Sequence, residues 1–284
     1  MRLKITFVSI ITINLLTISF CQKSEKITNS DPEDEIPVPE GYALVWNDEF
    51  SGSEIDMSKW EHEVNAEGGG NNELQYYTDR KINSYIEDGA LIIQALKEQY
   101  TGPEGTRSYT SARLRTRKKG DWRYGRFEIR AKLPFGKGLW PAIWMLPTDW
   151  KYGGWAASGE IDIMELVGHE PNKVYGTLHY GGAYPNNTHS GDTYTLPDGN
   201  FSEDFHTFTV DWDTTEFRWY VDDVFYLSQT SWYTENHPYP APFDQFFHIL
   251  LNVAVGGNFP GNPDASTIFP QRMYVDYVRV SKKK

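Results

Sequence analysis

From Tyr42 to Val280 the chain is a succession of short segments in which apolar and polar residues alternate, separated by turn residues, with no twelve-residue helical period among them. A period of two sends successive side chains to opposite faces, so each such segment reads as a half-buried β-strand. Ile82 to Leu96 (INSYIEDGALIIQAL) divides into two strands around Asp88-Gly89, a dipeptide that tolerates the positive φ of a tight hairpin. Arg126 to Leu133 (RFEIRAKL) alternates charged with apolar residues, and His206 to Val221 reads as a second hairpin turning at Asp213 to Thr215. Phe246 to Val253 and Met273 to Val280 are strands rich in β-branched and aromatic side chains. No Pro/Ser-rich break and no internal repeat interrupts them, so residues 41–284 read as one all-β domain, a jelly-roll sandwich of two antiparallel sheets. The 10 Trp, 18 Tyr and 15 Phe suit a core of that kind. A single Cys excludes an intramolecular disulfide and a Cys-based zinc site, so burial has to supply the stability.

Ahead of the domain, Arg2 and Lys4 precede sixteen uncharged, mostly apolar residues, Ile5 to Phe20, which read as an export signal over residues 1–20. The competing reading, a transmembrane helix, needs roughly 20 apolar residues. Cys21 directly after this run resembles a bacterial lipoprotein signal, whose cleavage leaves that cysteine lipidated, although Phe20 stands where the pattern has a small residue. A free thiol is the alternative. Residues 21–40, with three prolines, six acids and no aromatic residue, read as a disordered acidic linker. The expectation is an exported, cell-surface or outer-membrane lipoprotein, or else a secreted protein. With 27 basic against 39 acidic residues, a formal charge of −12, the surface would repel a phosphate backbone, which argues against nucleic acid as a partner.

The chemistry concentrates in Ser158 to Gly168 (SGEIDIMELVG), where Glu160, Asp162 and Glu165 interrupt a buried-strand composition. Period two places Glu160 and Asp162 on one face and sends Glu165 to the other; a one-residue bulge near Ile163 or Met164 would return it to the first. A strand with an acidic surface face and no role is the bland reading, but Ile161, Ile163 and Leu166 need burial behind it. Two carboxyl groups in different environments are what cleavage of a glycosidic bond requires, one protonating the leaving oxygen while the other attacks or activates water. The strand spacing does not choose between retention and inversion. Trp140, Trp144 and Trp155 lie close by in sequence, and indole faces suit the apolar C–H faces of a sugar. Trp122, Trp212 and Trp219 lie further off.

The Glu-Ile-Asp-Ile-Met-Glu core resembles the catalytic strand of glycoside hydrolase family 16 in its bulged form. Segments WNDEF (Trp46 to Phe50), NNELQYY (Asn71 to Tyr77), LWPAIWML (Leu139 to Leu146), TLHY (Thr177 to Tyr180), HTFTVDW (His206 to Trp212), NVAVGGNFPG (Asn252 to Gly261) and VDYVRV (Val275 to Val280) resemble its laminarinase branch of endo-acting β-1,3-glucanases. The resemblance implies two curved sheets with a concave substrate cleft, and retaining double displacement with Glu160 as nucleophile, Glu165 as acid/base of higher pKa and Asp162 as helper. It further implies that Asn72, Arg113, Trp140, Trp144 and Trp155 line the glycone side and that His179 lies beside the acid/base. No cofactor is expected for catalysis; a structural Ca²⁺ would fall on Glu49, Gly89 and Asp276. Its partners would be a β-1,3-glucan and, through the lipid, a membrane, with the protein a monomer; the alternatives are the same fold and mechanism on mixed-linkage β-glucan or an agar-type galactan, or a surface protein that binds β-glucan without cleaving it. The seven histidines show no HExxH spacing, and Gly68-Gly69-Gly70 lacks the Lys and Ser/Thr of a phosphate loop and reads as a flexible rim.

Overall fold

The alternating segments are strands, and the Asp88-Gly89 hairpin turns where both residues take positive φ, 51° and 76°. The computed structural model describes residues 36–284, of which 38–284 form one compact unit; the export segment, Cys21 and most of the linker lie outside the described residues. In chain order the strands are β1 (Tyr42–Asp48), β2 (Glu61–His62), β3 (Gln75–Tyr77), β4 (Ser84–Glu87), β5 (Ala90–Gly102), β6 (Gly105–Ser111), β7 (Arg113–Arg115), β8 (Asp121–Trp122), β9 (Gly125–Lys132), β10 (Leu139–Pro147), β11 (Glu160–Glu165), β12 (Lys173–Gly181), β13 (Asn187–Thr195), β14 (His206–Trp212), β15 (Phe217–Val221), β16 (Val224–Gln229), β17 (Phe247–Val255) and β18 (Gln271–Lys283). A ten-stranded sheet runs β16-β15-β14-β9-β18-β5-β6-β3, with β1 beside β18 and β4 beside β5. An eight-stranded sheet runs β13-β12-β11-β10-β17-β7-β2, with β8 beside β17. The pairings that carry β11 are antiparallel on both sides.

Between the sheets lies the apolar half of each alternation. Phe127, Ile129, Phe208 and Val210 of the larger sheet meet Ile143, Met145, Leu178 and Leu251 of the smaller, all fully buried or nearly so. Each such side chain stabilises the fold by about 1.5–3 kcal/mol through its burial. Trp212 stacks on Phe217 at 5.6 Å and Trp219 stacks on the same ring at 5.7 Å, so these tryptophans, with Trp122, belong to this seam and not to a sugar platform.

Two departures from the sequence pattern have simple causes. Strand β5 runs past Leu96 to Gly102, because its distal half pairs with β6 while its side chains return to solvent. Strand β13 (NTHSGDTYT) is polar and largely exposed, so no apolar alternation marks it; its pairing with β12 makes it a strand.

Candidate active site

Strand β11 contains the bulge. On the β10 side Asp162 pairs with Trp144 and Glu165 with Ala142, although two residues separate the carboxylates on β11 and only one separates their partners on β10. On the β12 side Asp162 pairs with Thr177 and Glu165 with Tyr175, so Ile163 and Met164 together face Gly176. Directly opposed residues of neighbouring strands project to the same side. Glu160, Asp162 and Glu165 therefore share the face that also carries Trp144 and His179, while Ile161, Met164 and Leu166 fill the core behind. The extra residue resets the pleat, as a bulge does.

Two indoles grip the two glutamates. Trp140 Nε1 donates to Glu165 Oε1 at 2.9 Å, and Trp155 Nε1 donates to Glu160 Oε2 at 2.8 Å. Trp140 and Trp144 reach the groove because they alternate with buried Leu139, Ile143 and Met145 along β10. Trp155 comes from the loop between β10 and β11, pinned beside it by Thr234 Oγ1 on Ala157 O (2.6 Å) and Gln245 Nε2 on Ser158 O (3.0 Å). Between the glutamates Asp162 is 2% exposed, and His179 Nε2 stands 3.3 Å from its Oδ2 and 3.8 Å from Glu160 Oε1. His179 thus sits against Glu160 and Asp162, whereas the resemblance places it beside Glu165.

Among the described residues no lysine or arginine pairs with these three acids, and His179 is the one basic group in ion-pair range. Burial pushes all three carboxyls up to about 8. The Asp162 charge adds to the rise of both glutamates, and His179 and the indole N–H bonds oppose it. The three rise together, as close acids that share protons do.

Arg113 is not on the groove surface. Only 7% exposed, its guanidinium lies 4.5 Å from the Tyr77 ring centroid and 5.3 Å from that of Trp144, with Glu63 and Glu73 at 3.6 and 3.8 Å. It backs Trp144, whose Nε1 donates to Asn252 Oδ1 at 2.7 Å. Asn252 Nδ2 continues to the Tyr77 hydroxyl at 3.2 Å, and that hydroxyl to Glu73 Oε2 at 3.2 Å. Residues Glu73, Tyr77 and Asn252 are the part of the site that sequence reasoning left unassigned; the NNELQYY and NVAVGGNFPG segments hold them, but their roles arise only from contacts across the sheet. Asn72 is exposed and ties two rim loops, its Nδ2 donating to Asn258 Oδ1 at 3.0 Å. The glycines beside it are not a loose rim: Gly68–Gly70 form a 3₁₀ turn, and a Cβ on Gly69 would lie 2.2 Å from Glu73 Oε1.

At the positions that the resemblance gives to Ca²⁺, both carboxylates carry arginine partners. Glu49 is held by Arg279 through two hydrogen bonds, 3.0 and 2.7 Å, and Asp276 by Arg130 at 2.5 Å. These pairs engage the carboxylates; the backbone carbonyl oxygens of Glu49 and Gly89, the other hard donors expected there, are not part of them.

The chain as a whole has counterparts among known proteins. The chain is 44% identical over 279 residues to glucan endo-1,3-beta-glucosidase A1 of Niallia circulans, covering 92% of this chain and 40% of that longer protein. It is 46% identical over 267 residues to a beta-glucanase of Rhodothermus marinus, covering 88% of each. The laminarinase catalytic domain of Thermotoga maritima superposes with a TM-score of 0.77 at 45% identity, covering 86% of this chain and 100% of that one. The family model for glycosyl hydrolases family 16 matches residues 52–279, and the chain belongs to that family.

Proposed function

We propose that this protein hydrolyses internal β-1,3-glucosidic bonds of laminarin-like glucans with retention of configuration. The observation that carries the reading is the bulge, which brings Glu165 to the face of Glu160 and Asp162. Glu160, oriented by Trp155, attacks C1 from one side of the sugar while Glu165, oriented by Trp140, protonates the departing oxygen; Glu165 then takes a proton from water, whose oxygen displaces Glu160. Burial favours the proton that Glu165 must donate, while His179 and the Trp155 N–H favour the ionised form that Glu160 needs for attack. Neither step needs a cofactor. The relatives named above are glucanases by name, and this sequence carries both glutamates that cleavage needs, which favours hydrolysis over holding glucan alone. We place it as a monomer at the surface of the exporting cell, tethered through lipid on Cys21.

The test is to incubate purified protein with laminarin, lichenan and agarose and to follow products by size and anomer. Short β-anomeric oligosaccharides from laminarin are expected. Cleavage of agarose alone would refute the glucan substrate, and α-anomeric first products would refute retention.

A further inference from the structure

We propose that Trp219, a core residue of the opposite sheet, is a positioning residue for the three acids, because its indole N–H holds the backbone of β11 where that strand leaves the regular pleat. Trp219 Nε1 donates to the carbonyl oxygen of Asp162 at 2.9 Å, across the interior of the sandwich. Asp162 is the last residue before the bulge, where two residues of β11 face one of β12. A bulge disrupts the ladder locally, and a buried carbonyl at such a place needs another donor. The indole supplies it from β15, with no exposure to solvent.

The strand opposite has given up a side chain to let the indole through. Gly176 is the residue that faces Ile163 and Met164, and a Cβ there would lie 2.8 Å from Trp219 Cδ1, 3.0 Å from its Nε1 and 2.5 Å from the Tyr226 hydroxyl. Its φ is not in the left-handed region, so the requirement for glycine at this position is one of space. Bulge, glycine and indole together fix the Asp162 peptide. That peptide sets where the Asp162 carboxylate meets Glu160 and His179, and the step after it sets where Glu165 emerges. Trp219 touches neither the groove nor the sugar, and acts through β11. Trp212 is the natural comparison: equally buried on the neighbouring β14, stacked on the same Phe217, with an indole N–H that bonds nothing.

The inference rests on the roles proposed for Glu160 and Glu165, so the test has one arm that reads turnover and one that does not. In Trp219→Phe, kcat on laminarin should fall about 10- to 100-fold with KM within about 2-fold of wild type, as a displaced catalytic group predicts. By ¹³C NMR of labelled carboxyls, the titration of the coupled Glu160, Asp162 and Glu165, faced by His179 of β12 and Trp144 of β10, should move by about half a pH unit or more. Gly176→Ala keeps the tryptophan and pushes on its ring; it should reproduce both changes, and it decides the matter if Trp219→Phe does not fold. Trp212→Phe should lower Tm and leave both readouts as in wild type. Unchanged kcat and titration in Trp219→Phe, or equal changes in Trp212→Phe, would overturn the proposal. A wild-type protein inactive on laminarin would instead sink the proposed substrate, while the NMR comparison would still judge Trp219.

Discussion

The acids paired along the ten-stranded sheet and the three acids of β11 meet opposite surroundings. On and beside the ten-stranded sheet several acids have a guanidinium: Arg126 pairs with Glu128, Asp211 and Asp223, Arg279 with Glu49, and Arg130 with Asp276. Burial works against the Glu49 carboxylate, yet the Arg279 and Asn47 hydrogen bonds hold it below the usual range. On the eight-stranded sheet Glu160, Asp162 and Glu165 have one histidine among them and are driven up by burial. A paired acid contributes to the fold; an unpaired buried acid costs stability and persists because its raised pKa is useful.

That contrast can be broken most severely at the glutamates. Glu165→Ala and Glu160→Ala should each lower kcat on laminarin by at least about 10³-fold, with Tm unchanged or raised, since a costly buried acid is removed. Azide should restore Glu160→Ala and yield a glycosyl azide of inverted anomer; a Glu160→Ala enzyme of near-normal activity would end the assignment. Next in size is Arg113→Met, which leaves buried Glu73 without a cation while Glu63 keeps Arg115, and should cost about 3–5 kcal/mol in urea unfolding. Arg279→Met, at the better-solvated pair, should cost about 1 kcal/mol or less. Equal losses would show that position in the fold does not decide the worth of a pair.

A smaller effect is expected from the indoles. Trp140→Phe and Trp155→Phe each remove one N–H from a carboxylate and should reduce kcat/KM about 10- to 100-fold, the worth of a hydrogen bond to a charged group. The smallest is a dependence of stability on pH. A carboxyl whose folded pKa lies above its unfolded value binds more protons folded than unfolded, so stability is full at low pH and is lost as pH rises from about 4 to about 8. Wild-type Tm should therefore decline across that window, and Asp162→Asn should flatten the decline by a few degrees. An identical slope in Asp162→Asn would mean that Asp162 is not among the raised groups.

How much of this was legible beforehand varies residue by residue. The Asp88-Gly89 turn was readable because its two residues carry their own conformational preference. The three acids were readable because carboxylates are rare in a run as apolar as Ile161 to Val167. His179 could be attached to the site but not to the right glutamate, and Arg113 was expected on the surface it supports from beneath. In both cases the deciding contact joins strands distant in sequence, where neither spacing nor composition speaks.

Local pattern alone determined most of the strands, the two-layer architecture and the cluster of three carboxyls, because period two and side-chain chemistry are properties of neighbours along the chain. Tertiary structure decided that Glu165 shares a face with Glu160, that two tryptophans hold the pair, and that arginines occupy Glu49 and Asp276. A bulge is a matter of register between strands, and an ion pair a matter of which strands meet; both are fixed only when the sheets close.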